Sequence, residues 1–316
     1  MLQQTRVAAV LEHYARFMQR FPTLSDLAEA SEDEVVAQWS GLGYYRRARM
    51  LHRAARFVME QLGGRLPETA AGLRALPGVG EYTCAAIASI GFGEAVACVD
   101  GNVERVVRRL CGWDEGSGTA AKVRAEAARL LDGKRPGDFN QAMMELGAVV
   151  CLPRGPLCVE CRVREMCATQ GEHSVAGRKK MLSREEAYAL LRRMPGSPPA
   201  EVLLEQRAAD ASLMAGMWEL PGIEASDAGR GTKVLTLRHS ITTTNYYVSV
   251  YEMAAAEERR LPKRKAVRKW FGVDELHRLA LTGLARKTLK RLKLWPAYNE
   301  AGAVVAFDEA EGESLL

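Results

Sequence analysis

The sequence predicts a chain of two domains, an all-helical one followed by a smaller α/β one, and three observations carry that reading. Up to about residue 150, apolar residues recur at the three- and four-residue spacing of a helix face, and strand patterns are nearly absent. From about residue 184 the texture changes to short β-like runs mixed with late helical patterns. Between the two, residues 169–183 (TQGEHSVAGRKKMLS) lose periodicity and gain polar and basic residues, as a linker does.

The helical patterns run over 1–20, a segment after Ser31, then 44–62, 69–75, 81–92, 102–111, 119–131 and 138–150. In the opening stretch, MLQQTRVAAVLEHYARF, residues Leu2, Val7, Val10, Leu11, Tyr14, Phe17 and Met18 follow one helix face with no capping residue before them. Ser31 with Glu34 reads as a capping box. In the second part AYALLRR, AEVLLEQR, KVLTLRH and NYYVSVYEM read as strands, with MPGSPP joining the first two and helices at 274–279 and 283–293. The acidic tail FDEAEGESLL is expected to be disordered.

The 316 residues and 47% hydrophobic content are enough to give each domain a core. A cleavable leader and a run of about 18 uncharged apolar residues are both missing from the sequence, which predicts an intracellular protein without a membrane partner, cytoplasmic in a bacterium. Forty-four basic against 39 acidic residues leave a net charge of +5, too mild to diagnose nucleic-acid binding by itself.

Candidate chemistry lies in three places. LPGVGEYTCAA, at 76–86, is a Pro-Gly-x-Gly turn between two helical patterns. Gly78 and Gly80 permit close backbone approach, and the following helix start can hold a phosphate by its amides and dipole. In ACVDGNVERVVRRL, Asp100 stands at a helix entrance. It can simply cap the helix, or it can face a sugar whose glycosidic bond is breaking and stabilise the oxocarbenium ion. Finally, Cys151, Cys158, Cys161 and Cys167 follow C-x6-C-x2-C-x5-C, a spacing open to tetrahedral zinc or a [4Fe-4S] cluster. The single C-x2-C pair leans toward iron–sulfur. Cys84, Cys98 and Cys111 sit among apolar residues and read as core.

Together with the phrases MLQQT, WSGLGYYRRAR, LPGVGEYT, VDGNVERV and FNQAMMELGAVVC, these features resemble the helix-hairpin-helix DNA glycosylases with an iron–sulfur cluster, specifically the MutY-type adenine DNA glycosylases. The resemblance implies a glycosylase domain over 1–168, a linker over 169–183, a Nudix-like 8-oxoguanine recognition domain over 184–298 and a tail over 299–316. It implies a monomer that acts on double-stranded DNA, removing adenine mispaired with 8-oxoguanine or guanine after flipping it out. Within it Asp100 stabilises or bonds to the oxocarbenium species, Asn102 supports the site, and Tyr82 stands where bifunctional relatives carry a nucleophilic lysine. Gln141 matches a contact to the flipped adenine, while Gln3, Gln4 and Tyr44 match residues that fill or wedge the vacated stack. The four clustered cysteines would hold the [4Fe-4S] cluster. LLEQR followed by LMAGMWELPG resembles the opening of the Nudix-like domain, and LPGIEASDAGRGTKV lacks the Glu-rich helix of a working Nudix hydrolase, so no nucleotide hydrolysis is expected. LRHSIT falls where the family places a short Ser- and His-containing loop that probes the oxidised base, making His239 and Ser240 the candidates although their order departs from the family pattern.

In the family a Glu two residues before the Met of MLQQT protonates the departing base at N7. No residue precedes Met1 here, and Glu12 stands almost three helical turns on, about 16 Å away. The expectation is a start assigned too late or a truncated gene, with activity impaired in this form. The rival reading is a catalytically inactive protein that binds 8-oxoguanine:adenine pairs. An endonuclease III-like lyase and a Nudix pyrophosphatase are further alternatives, the former disfavoured by Tyr82.

Overall fold

A computed structural model describes the chain except residues 3–6, 115–117, 174–180, 195–199, 225, 242, 263–265, 296, 299–303 and 306–316. Its helices follow the local signals closely. α1 (Val7–Arg20) is followed by α2 (Leu24–Glu29) and α3 (Glu32–Gln38), each opened by a reciprocal capping box, Thr23 with Asp26 and Ser31 with Glu34. Then come α4 (Arg46–Gln61), α5 (Ala70–Leu73) capped by Thr69, and α6 (Glu81–Phe92), which ends at Gly93 with φ +73°. α7 (Gly101–Leu110) precedes α8 (Ala120–Leu130), capped by Thr119, and α9 (Pro136–Glu145), with Pro in its first turn. The last predicted helix is shorter than 138–150, because Leu146–Val150 widens into a π turn closed by Cys151 N–H to Leu146 O at 2.7 Å.

The predicted strands become β1 (Leu182–Arg193), β2 (Glu201–Gln206), β5 (Thr232–Ile241) and β6 (Thr244–Ala254). β3 (Trp218–Glu219), β4 (Gly222–Ile223) and β7 (Arg268–Gly272) join them in one mixed sheet. The main path runs β3-β2-β1-β6-β5, with β4 on β1 and β7 on β2. β1 and β6 are parallel over eleven residues, Leu182–Arg192 against Thr244–Ala254, while their other neighbours are antiparallel. Tyr188–Leu191 are buried on both faces of β1, so a continuous apolar run replaces alternation there. One face carries Leu190, Val202, Leu204 and Val248 against Leu284 and Leu289 of α10 (Gly283–Arg291); the other carries Ala189, Leu191, Leu203, Met253 and Leu261. The helix expected at 274–279 is only a 3-10 turn, Leu276–Arg278. In the tail, Val304–Val305 pair with Ala297–Tyr298, and the rest lies outside the described residues, as do Pro195–Pro199 of the MPGSPP connection and 174–180 of the linker.

The chain divides into two compact units, residues 53–178 and residues 1–52 with 179–316. This differs from the expected boundary near 168, since residues 1–52 share a unit with the sheet. Tyr45 donates to Leu281 O at 3.2 Å and Arg49 to Ala215 O at 2.5 Å, satisfying carbonyls of that region. Within α1 the apolar stripe is wider than what packs. Val10 and Phe17 are buried, Phe17 edge-on to Phe21 and Trp39, but Val7, Leu11, Tyr14 and Met18 remain exposed, as does Leu2 ahead of the helix. Cys84 and Cys98 are buried as expected, and Cys111 is half-buried. Among the described residues no helix is long and apolar enough to cross a membrane.

Candidate functional site

In the unit of residues 53–178, the turn between α5 and α6 holds Gly78 at φ +77°, a left-handed conformation that a side chain would strain. Gly80 caps α6 without a side-chain oxygen, and a Cβ there would meet nothing within 4 Å, so the backbone is open to close approach. Such a helix start suits an anion.

Asp100 is the N-cap of α7. Its Oδ1 accepts from the Asn102 and Val103 amides at 2.9 and 2.7 Å, which is the capping role the sequence allowed. Among the described residues its second oxygen, Oδ2, takes only the Asn102 Nδ2 donor, at 3.3 Å. Arg105 then donates to Asn102 Oδ1 at 3.0 Å, to Gly147 O at 2.5 Å and to Cys151 O at 2.8 Å, so one guanidinium joins the Asp100–Asn102 pair to the π turn and the first cluster cysteine. Close approach makes this possible. A Cβ on Gly147 would stand 2.6 Å from Asn102 Cβ.

Tyr82 donates its hydroxyl to Met144 Sδ at 3.3 Å. Burial, with the neighbouring Cys98 and Asp100 charges, pushes its phenol up to about 12, and burial pushes the Cys98 thiol to about 12 as well. Both are neutral at pH 7. The backbone leading into Asp100 is pinned by Asn140, a residue that sequence reasoning passed over in favour of its neighbour. Asn140 is buried; its Oδ1 accepts from Cys98 N at 3.0 Å, and its Nδ2 donates to Ser89 Oγ and Val96 O, both at 2.9 Å. Gln141 is exposed on the same helix and donates to Gly137 O at 3.3 Å. A cavity of about 870 Å³ opens beside Tyr82, Val96, Ala97 and Val99, without Asp100 in its wall.

Cys151, Cys158, Cys161 and Cys167 line one cavity with Arg109 and Gln170. Hydrogen bonds aim at the sulfurs: Arg109 Nη1 donates to Cys151 Sγ at 3.3 Å and the Gln170 amide to Cys167 Sγ at 3.4 Å. The sequence reading gave Arg109 no role.

The other unit brings Tyr44, His239 and Ser240 together around a cavity of about 790 Å³, with Arg46, Arg49, Arg286, Lys287 and Lys290 in its wall. Tyr44 is exposed and holds φ +48°, an uncommon conformation for a non-glycine residue. His239 and Ser240 lie within β5 rather than in a loop, because pairing continues to Ile241 opposite Thr244. Ser240 donates to Asn245 Oδ1 at 2.7 Å, and burial followed by the Lys287 charge holds the His239 imidazole below its ordinary value. Gln3 and Gln4 lie outside the described residues.

Residues 1–132 match the family described as HhH-GPD superfamily base excision DNA repair protein. The solved structure of a thermostable thymine-DNA glycosylase is 31% identical with a TM-score of 0.50, and the match covers 54% of this chain and 79% of that one. The chain belongs to the HhH-GPD superfamily. Among curated HhH-GPD relatives, adenine DNA glycosylase from Homo sapiens is 41% identical over 274 residues, 71% of this chain and 50% of its own length. The Mus musculus adenine DNA glycosylase is 53% identical over 171 residues, 53% of this chain and 33% of its own. The chain thus spans between a third and a half of the length of these curated relatives.

Proposed function

We propose that this HhH-GPD protein is a monofunctional adenine DNA glycosylase that removes adenine opposite 8-oxoguanine or guanine in double-stranded DNA. The observation that carries the reading is Asp100, with one carboxylate oxygen committed to the α7 cap and the other held by the Asn102 side-chain amide. A carboxylate so fixed can face a deoxyribose as the bond from C1′ to N9 breaks, stabilise the cationic sugar and let water add to C1′. The α6 start, with Gly78 and Gly80, would hold the backbone phosphate while the adenine is out of the stack. Tyr82 supplies no amine, so no Schiff base forms and strand cleavage is not part of the reaction. In the second unit the Tyr44, His239 and Ser240 cavity, with its lysines and arginines, would read the base opposite adenine against the duplex phosphates.

The four clustered cysteines suit a [4Fe-4S] cluster. All four line one cavity, and their spacing, with a single C-x2-C pair, favours a polynuclear group over a lone zinc. When bound, the cluster would cross-link the 151–167 segment and so fix its attachment to α7 through Arg105 and Arg109.

The test is single-turnover adenine release from duplexes with adenine opposite 8-oxoguanine, guanine or thymine, alongside binding. Release from duplexes with adenine opposite 8-oxoguanine or guanine, faster than opposite thymine, is expected. Mispair binding without release would assign the chain to lesion recognition, and an adduct trapped by borohydride would make it a lyase.

A further inference from the structure

We propose that Arg109 is the buried counter-charge of the group held by Cys151, Cys158, Cys161 and Cys167, and that it sets that group's reduction potential; this rests on the cluster assignment above. Only 2% of Arg109 is exposed. Its Nη1 donates to Cys151 Sγ at 3.3 Å and to Leu152 O at 2.7 Å, and its Nη2 to Pro153 O at 3.1 Å, while Nε has no partner. Among the described residues no carboxylate pairs with it. Its neighbour Arg108 shows the ordinary arrangement, a 2.7 Å ion pair with Glu104.

A guanidinium cannot escape burial by losing its proton, and an unpaired buried charge is costly. Neutral carbonyls lower that cost without cancelling the charge. Among the described residues the compensating anion belongs in the cysteine cavity that the guanidinium lines. Four thiolates around a cluster make it net negative, and a fixed cation beside it favours whichever oxidation state carries more negative charge. Arg109 therefore raises the reduction potential.

The backbone of the same residue serves a separate purpose. Its carbonyl accepts from Thr169 N at 3.2 Å, two residues past Cys167, so Arg109 grips the start of the cysteine segment with its side chain and the end with its main chain. Side-chain substitution leaves the second grip in place, which isolates the charge.

The experiment uses the 316-residue protein as purified, with iron and sulfide content measured first and the potential then read by voltammetry. Wild type without iron would overturn the cluster assignment, and this proposal with it. Given a loaded wild type, Arg109→Gln is expected to shift the potential to a more negative value and Arg109→Lys to hold it near wild type. An unchanged potential in Arg109→Gln, or the same shift in both variants, would overturn the proposal. Should Arg109→Gln retain no iron, Arg109→Lys decides: iron bound at the wild-type potential supports the charge, and loss of iron in both variants overturns it in favour of shape alone.

Discussion

Replacing Asp100 by Asn separates the helix cap from the catalytic role proposed for the same carboxylate. The cap rests on Oδ1, which accepts from two α7 amides at 2.9 and 2.7 Å. Asn caps a helix about as well as Asp, so Asp100→Asn should cost only a few tenths of a kcal/mol, a fall in Tm of about 1 °C. Asp100→Ala deletes both bonds and should cost about 1 kcal/mol, roughly 2–4 °C. Chemistry should respond the other way. Losing the one charge that faces the forming sugar cation should slow adenine release on the order of 100- to 1000-fold, about 3–4 kcal/mol, in Asn and Ala alike. The assay is single-turnover release from an 8-oxoguanine:adenine duplex beside thermal unfolding by circular dichroism. If Asp100→Asn released adenine within about threefold of wild type while Asp100→Ala unfolded early, the carboxylate would be a helix cap and nothing more.

Asn140→Ala should remove three hydrogen bonds and leave Cys98 N, Ser89 Oγ and Val96 O buried without that partner, costing about 2–4 kcal/mol and lowering Tm by about 5–12 °C. Release should fall too, since the backbone into Asp100 loses its pin. Gly147→Ala would drive a Cβ to 2.6 Å from Asn102 Cβ. A cost of about 1–3 kcal/mol in denaturant unfolding is expected, with slower adenine release as Asn102 is displaced. Because His239 is held below its ordinary value, the stability it contributes is intact above about pH 6.5 and lost as pH falls through its folded value. His239→Gln should therefore flatten the fall in Tm between about pH 7 and 5; an unaltered slope would place the acid sensitivity elsewhere.

Local signals carried most of the helices. Ser31 with Glu34 forms the predicted capping box, and α6 ends where Gly93 stands. Asp100 was legible as the cap of α7. The clustered cysteines do meet at one cavity. What escaped depends on partners far along the chain. Asn140 works through bonds to residues 42 to 51 positions away, and no periodicity marks a buried amide that only tertiary structure satisfies. Arg109 looked like the other α7 arginines because the acceptors at 151–153 are invisible on a helical wheel. β3 and β4, two residues each, are too short to alternate, and β7 sits beside a basic run that masks it. The placement of residues 1–52 with the sheet rests partly on two carbonyls, Leu281 O and Ala215 O, which side-chain patterns never report.

The unit that joins residues 1–52 to 179–316 is interrupted in sequence by the whole of the other. During synthesis the first helices emerge early and then wait, because the carbonyls that Tyr45 and Arg49 bind belong to the last third of the chain. The central strand β1 waits as well, since its parallel partner β6 begins some sixty residues later, and non-local pairing of this kind is slow. Residues 53–178 form the other unit, all of whose sequence is made before the strands emerge, and can close first. Pulsed hydrogen exchange on stalled ribosomes should find α7 amides protected while those of α1 and β1 still exchange.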